Sequence, residues 1–177
     1  MKKNIKIAIS GKSGCGNTTI SKMVSDALNL KFINFTFRSL AQEKKLDLKK
    51  ILELAATDDS WDKEVDIRQV QLARESSGCV LGSRLAIWML EEADLKIYLY
   101  ANEETRAQRI ADREHDNLLE VAAFTKERDK QDHERYLRIY NIDTYNHNFV
   151  DLFIQTDYLT PQQITDIIIE KANSIND

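Results

Sequence analysis

The chain has 177 residues, the length of one ordinary domain, and its 42% hydrophobic and 31% charged residues are a soluble globular balance that excludes general disorder. A formal net charge of −4 argues against a broad nucleic-acid surface, and no apolar run nears the ~20 residues of a membrane helix, so small molecules are the expected partners rather than nucleic acid or membrane. Cys15 and Cys79 lack metal-site spacing and read as thiols of a reducing cytosol, and Met1-Lys2-Lys3-Asn4 leads into a strand rather than a signal-peptide core.

In chain order, residues 5–10 read as a buried strand, with Ile5, Ile7 and Ile9 alternating with Lys6 and Ala8. A glycine-rich loop follows, then a helix from about Thr18 with Ile20, Met23, Val24, Ala27 and Leu28 on one stripe. Residues 32–35 form a short second strand. Two short helices, 39–45 and 47–56, come next, and Asp59 or Ser60 caps another running to about Ala73. Gly78 breaks the pattern. Residues 79–81 are a short buried strand, and 95–100, Leu-Lys-Ile-Tyr-Leu-Tyr, a stronger one. Asn102 caps a helix to about Arg113, a polar segment covers 114–117, and a long helix spans 118–140. Residues 152–154 are the last strand. Thr160 and Gln163 form a capping box for the final helix, with Pro161 at its first position. Strands alternating with helices imply a parallel sheet covered on both faces. The pattern predicts one α/β domain with a helical insert after the second strand and a small mobile segment around 113–117.

Residues 11–19, Gly-Lys-Ser-Gly-Cys-Gly-Asn-Thr-Thr, lie between the first strand and first helix, where a phosphate-binding loop works. Glycines let the chain turn tightly and bring backbone N–H groups close to a ligand, and the helix N-terminus adds its own attraction for phosphate. Gly11, Lys12, Ser13, Gly14, Cys15, Gly16, Asn17, Thr18 and Thr19 are therefore expected to bind a nucleoside triphosphate, with the Thr18 hydroxyl holding Mg²⁺. Asn17 stands where lysine is usual, and an uncharged amide weakens the hold on the β- and γ-phosphates. Lys12 is the candidate to supply that charge. The alternative, a glycine turn without a ligand, fits poorly with three glycines, two threonines, a buried strand before and an amphipathic helix after.

Arg106, Arg109 and Arg113 fall at i, i+3 and i+7, and Arg128, Asp132 and Arg135 at i, i+4 and i+7, so each set shares a helix face. These faces read equally as a lid over polyphosphate or as solvated surfaces paired with Glu104, Glu114, Glu127 and Glu134. Arg38 and Arg84, near strand ends, are stronger anion candidates. Arg68 and Gln69 read either as a base-edge contact or as a surface pair. Trp61 and Trp88 read as packing residues, Asp58-Asp59 as a helix cap, and His115, His133 and His147 lack ligand spacing. The absence of a carboxylate dyad or nucleophile–base pair agrees with phosphoryl transfer, which works by positioning and charge.

Taken together, the chain resembles the cytidylate kinases of the short archaeal type. The resemblance runs through the loop 9–19, Phe37-Arg38, Asp66-Ile67-Arg68-Gln69 with Leu72-Ala73-Arg74, Arg84-Leu85 with Trp88-Met89, and Ala93-Asp94-Leu95-Lys96-Ile97. It continues through Arg106, Arg109-Ile110-Ala111, Arg113-Glu114, Glu127-Arg128, Arg135-Tyr136, Ile139-Tyr140 and Ile142-Asp143. It implies a P-loop NMP-kinase-like fold: a parallel five-stranded sheet flanked by helices in a single domain, 1–177, with a helical NMP-binding region at about 36–73 and a short lid at about 113–118. It also implies a monomeric cytoplasmic enzyme that transfers the γ-phosphate of ATP to CMP or dCMP with Mg²⁺. By position, Arg38 and Arg84 would grip the CMP phosphate. Arg128, Asp132 and Arg135 would contact CMP, with Asp132 accepting from the cytosine amino group. Arg109 and Arg113 would clamp the ATP phosphates. Two positions depart from the family pattern. Asn17 replaces a residue that is commonly threonine in the family, and Leu81-Gly82-Ser83-Arg84 replaces Leu-Glu-Gly-Arg, losing a carboxylate suited to orienting Mg²⁺ or an arginine. A nucleotide-binding module without turnover, or a kinase of another small acceptor on the same fold, are the competing readings.

Overall fold

The computed structural model describes residues 4–175; Met1, Lys2 and Lys3 of the expected N-terminal lead lie outside them. The elements are β1 (Lys6–Gly11), α1 (Asn17–Leu28), β2 (Lys31–Ile33), α2 (Phe37–Lys44), α3 (Leu48–Ala55) and α4 (Ser60–Glu75). They continue with β3 (Cys79–Gly82), α5 (Ala86–Met89), β4 (Leu95–Tyr100), α6 (Glu103–Glu114), α7 (Leu118–Tyr140), β5 (Leu152–Gln155) and α8 (Pro161–Ser174).

The strands form one five-stranded sheet in the order β2-β3-β1-β4-β5, and every pair is parallel. β1 is central: Ile7 lies opposite Val80 and Leu95, and Ile9 opposite Gly82 and Ile97. The chain leaves β1 toward β2 and β3 on one side and later adds β4 and β5 on the other. Its carboxyl end is therefore the crevice at which open α/β sheets bind ligands.

The alternation read in β1 divides the core. Ile7, Ile9, Leu95, Ile97 and Ile154 pack on Ile20, Val24 and Leu28 of α1 and Ile164 and Ile168 of α8. On the other face, Ala8, Leu81 and Tyr98 meet Val70 and Ala73 of α4 and Ile87 of α5. A separate apolar cluster of Phe35, Leu40, Ile51 and Val65 holds the helical insert together, with Trp61 packed on its edge. Among the described residues no helix is long and apolar enough to cross a membrane.

Most helix ends form as their capping residues dictate. Asn102 accepts from Thr105 N–H at 2.7 Å, and Thr160 and Gln163 bond reciprocally with Pro161 between them. At α4 the labour divides: Asp58 accepts from Ser60 N–H at 2.8 Å, whereas Asp59 makes no capping bond and instead pairs with Arg138 of α7. β2 covers only 31–33, because Asn34 and Phe35 turn into the cleft and the insert core. The one-turn helix α5 is too short to show a helical period.

Candidate active site

The loop between β1 and α1 owes its shape to its glycines. Gly14 (φ 84°) and Gly16 (φ 99°) adopt left-handed backbone, and a Cβ on Gly14 would sit 2.8 Å from the Arg106 carbonyl oxygen. The loop and the first turn of α1 floor a cleft of ≈ 1170 Å³, walled by α4 on one side and α7 on the other. Asn17 turns back rather than into that cleft. Its Nδ2 donates to the Gly11 carbonyl at 2.6 Å, tying the end of the loop to its beginning. Lys12 Nζ lies 3.6 Å from the Asp129 carboxylate and 5.2 Å over the Tyr145 ring. Thr18 is exposed toward the cleft, and its hydroxyl oxygen accepts from Asn34 Nδ2 at 3.3 Å. One hydroxyl at a helix N-terminus fits Mg²⁺, which takes most of its oxygens from phosphate and water. Cys15 is buried behind the loop, and burial pushes its thiol above the ordinary range, so it fills space rather than reacts.

The three arginines expected on one face of α6 have three different tasks. Arg106 is 1% exposed; it donates to the Ser13 carbonyl at 3.1 Å and pairs with Asp129 at 2.7 Å, bracing the loop from behind. The sequence held a signal for this, since Arg106 continues the apolar stripe of Ala107, Ile110 and Ala111. Arg109 lines the cleft but is fixed by neutral acceptors: the Gly14 carbonyl at 3.3 Å, Thr156 Oγ1 at 3.0 Å and the Thr156 carbonyl at 2.7 Å. It has no ion pair among the described residues. Arg113 stands at the α6–α7 turn beside Glu114 and also lines the cleft. Asp129, which pairs with both Lys12 and Arg106, escaped the sequence reading.

Five arginines (Arg84, Arg109, Arg113, Arg128 and Arg135) share the cleft lining with Asp62, Asp66, Glu127 and Asp132. Arg84 spans the floor, donating to Ser13 Oγ at 2.7 Å and to Asp132. Asp132 also accepts from Arg135 at 3.0 Å, and Arg135 reaches Asp62 at 3.2 Å, so both Asp132 oxygens are held by arginines. Arg128 has no hydrogen bond or ion pair among the described residues. Desolvation, followed by the neighbouring Arg84 charge, lowers its pKa, as for a cation poised for an anion. Arg38 is exposed on α2 and lies outside the cleft lining.

α4 contributes more than its sequence suggested. Arg68 pairs with Glu43 on the surface, whereas Gln69 is buried in the cleft wall and donates to Asp66 at 3.2 Å. Tyr140 donates to the other Asp66 oxygen at 2.8 Å. Burial raises the Asp66 carboxyl to about 6.

Gly82 has a steric reason. A Cβ there would lie 2.7 Å from Ser21 Cβ and closer still to Ser21 Oγ. Ser21 of α1 occupies the space that a side chain at residue 82 would need, and its buried hydroxyl has no hydrogen-bond partner among the described residues.

The model of the cytidylate kinase-like family matches residues 6–158. A protein named cytidylate kinase 2 from Borreliella burgdorferi is 43% identical over 176 residues, covering 97% of both chains. A cytidylate kinase from Methanobrevibacter smithii is 38% identical over 165 residues, covering 92% of this chain and 95% of its own. Among solved structures, a shikimate kinase from Acinetobacter baumannii superposes with a TM-score of 0.66 at 17% identity, covering 98% of this chain and 95% of that one, a likeness of fold alone.

Proposed function

Because the chain belongs to the cytidylate kinase-like family, we propose that it transfers the γ-phosphoryl group of ATP to CMP or dCMP, giving ADP and CDP or dCDP. The observation that supports this most is one cleft lined both by the glycine-rich loop and by five arginines, with room for a donor and an acceptor phosphate.

In this reading the ATP phosphates rest on residues 11–19 and CMP lies between α4 and α7. Arg84, Arg128 and Arg135 face the CMP phosphate, and Arg38 joins them as the 36–73 region closes. A CMP phosphate oxygen attacks the γ-phosphorus in line; the bond to the β,γ-bridging oxygen breaks, and that oxygen leaves on ADP. Arg109, fixed by neutral acceptors, and Arg113 stabilise the transferring group. Lys12 joins them by exchanging Asp129 for phosphate. The amides of the loop supply dipoles, and Asn17 keeps the loop in shape rather than supplying charge. Thr18 would hold Mg²⁺, which when bound offsets phosphate charge. The α6–α7 turn, about 113–118, serves as the lid that excludes water. The enzyme is read as a cytosolic monomer whose partners are nucleotides.

A coupled assay with ATP and a panel of nucleoside monophosphates tests the proposal, with turnover of CMP and dCMP expected. No turnover of CMP, dCMP or UMP at high enzyme concentration overturns it. Binding without turnover would favour a non-catalytic module, and turnover of an unrelated acceptor a different kinase on the same fold.

A further inference from the structure

Among the described residues, Oε1 of Gln69, Oγ of Ser83 and Nε of Arg135 are buried on the acceptor side of the cleft without hydrogen-bond partners. Gln69 is only 2% exposed and lines the cleft. Its orientation is imposed. Tyr140 donates to one Asp66 oxygen and Gln69 Nε2 to the other, and an ionised carboxylate can only accept. Gln69 must therefore keep its NH₂ on Asp66 and leave its oxygen free. A buried acceptor without a donor costs stability unless something supplies one. Asp132, the base reader expected from the resemblance, already accepts from an arginine on each oxygen, Arg84 on one and Arg135 on the other, whereas the Gln69 oxygen accepts from none.

We propose that Gln69, oriented by Asp66 and Tyr140, reads the exocyclic amino group of cytosine and thereby selects CMP over UMP. This rests on the cleft being the pyrimidine monophosphate site proposed above. The Watson–Crick edge of cytosine offers a donor at N4 and acceptors at N3 and O2. The free oxygen of Gln69 matches the first. Uracil offers an acceptor at O4, which would meet the Gln69 oxygen with no proton between them. Asp132 becomes a positioning residue that aligns Arg84 and Arg135 for phosphate.

The test is kcat/KM for CMP and UMP at saturating ATP, about pH 8, in the wild type, Gln69→Met and Asp66→Asn. Methionine keeps the length of glutamine without its oxygen. Asparagine at residue 66 keeps the size and frees Gln69 to turn its NH₂ toward the base. The CMP:UMP ratio of kcat/KM should fall about 10- to 100-fold in each variant, mainly through KM for CMP, with KM for ATP within about twofold of wild type. A ratio unchanged in the variants that fold, or equal losses on both nucleotides, overturns the assignment while leaving the kinase reading intact. Asp66→Asn carries the test if Gln69→Met does not fold. A wild-type enzyme that phosphorylates neither nucleotide removes the kinase reading and this inference together.

Discussion

In the proposed reading, Lys12 supplies the phosphate charge that Asn17 does not. Its ammonium rests beside Asp129 and over Tyr145, close enough to the loop to move onto a bound phosphate. Lys12→Met should lower kcat by about 10²- to 10³-fold, the usual effect of removing one preorganised electrostatic contact, with little change in KM for CMP. Steady-state kinetics checks this, and unchanged turnover would remove Lys12 from the mechanism. Gly82 carries a second prediction. Gly82→Ala forces a Cβ into Ser21 and should cost about 1–3 kcal/mol in urea unfolding, and Ser21→Gly in the same chain should recover much of it. At this scale the sequence was legible where local geometry decides, as for Gly14 and Gly16. It was not legible where a side chain's partner lies far along the chain. Nothing near Arg84 in sequence announces that it joins Ser13 to Asp132, and nothing near Asn17 shows that its amide folds back onto Gly11.

Elements were easier to read than their connections. The long helix α7, the strand β4 and the capped starts of α6 and α8 follow from signals within a few residues, so they appear where the sequence placed them. Of the two readings of the α6 arginines, a phosphate lid or a solvated face, neither describes the buried Arg106. Arg106 brings the stem of α6 against the loop and, through Asp129, against α7. A buried pair of this kind gains little over an apolar replacement but is expensive to break by halves. Arg106→Met should therefore destabilise the fold by about 3–5 kcal/mol, because it leaves the carboxylate of Asp129 with only Lys12. Adding Asp129→Leu should restore part of that loss. If the two single substitutions and the double one prove additive in urea unfolding, Arg106 and Asp129 do not act as a unit.

Across the whole molecule, the sheet and its two cores fix the floor of the cleft, while polar ties join its walls. Tyr140 to Asp66, Arg135 to Asp62 and Arg138 to Asp59 run from α7 to α4 across more than 70 residues of sequence, beyond the reach of periodicity or capping rules. Such ties make stability depend on pH. Asp66 is held by Tyr140 and Gln69, with Asp62 on its own helix, Arg135 on the facing helix and Arg84 from the sheet edge nearby. Burial dominates and raises its carboxyl from 3.8 to about 6, and it raises Asp62 in the same direction. A carboxyl with a raised folded pKa favours folding while protonated. The stabilising contribution of Asp66 is thus complete below about pH 4 and is lost as pH rises through about 6, after which it stays lost. Asp66→Asn cannot ionise, and its amide oxygen can still accept from Tyr140. Urea unfolding should find this variant close to wild type at about pH 4 and more stable by up to about 3 kcal/mol at pH 7 and above. The gap should open between about pH 4 and pH 6. A difference that stays constant over that window would mean that Asp66 keeps an ordinary pKa and that water reaches it between α4 and α7.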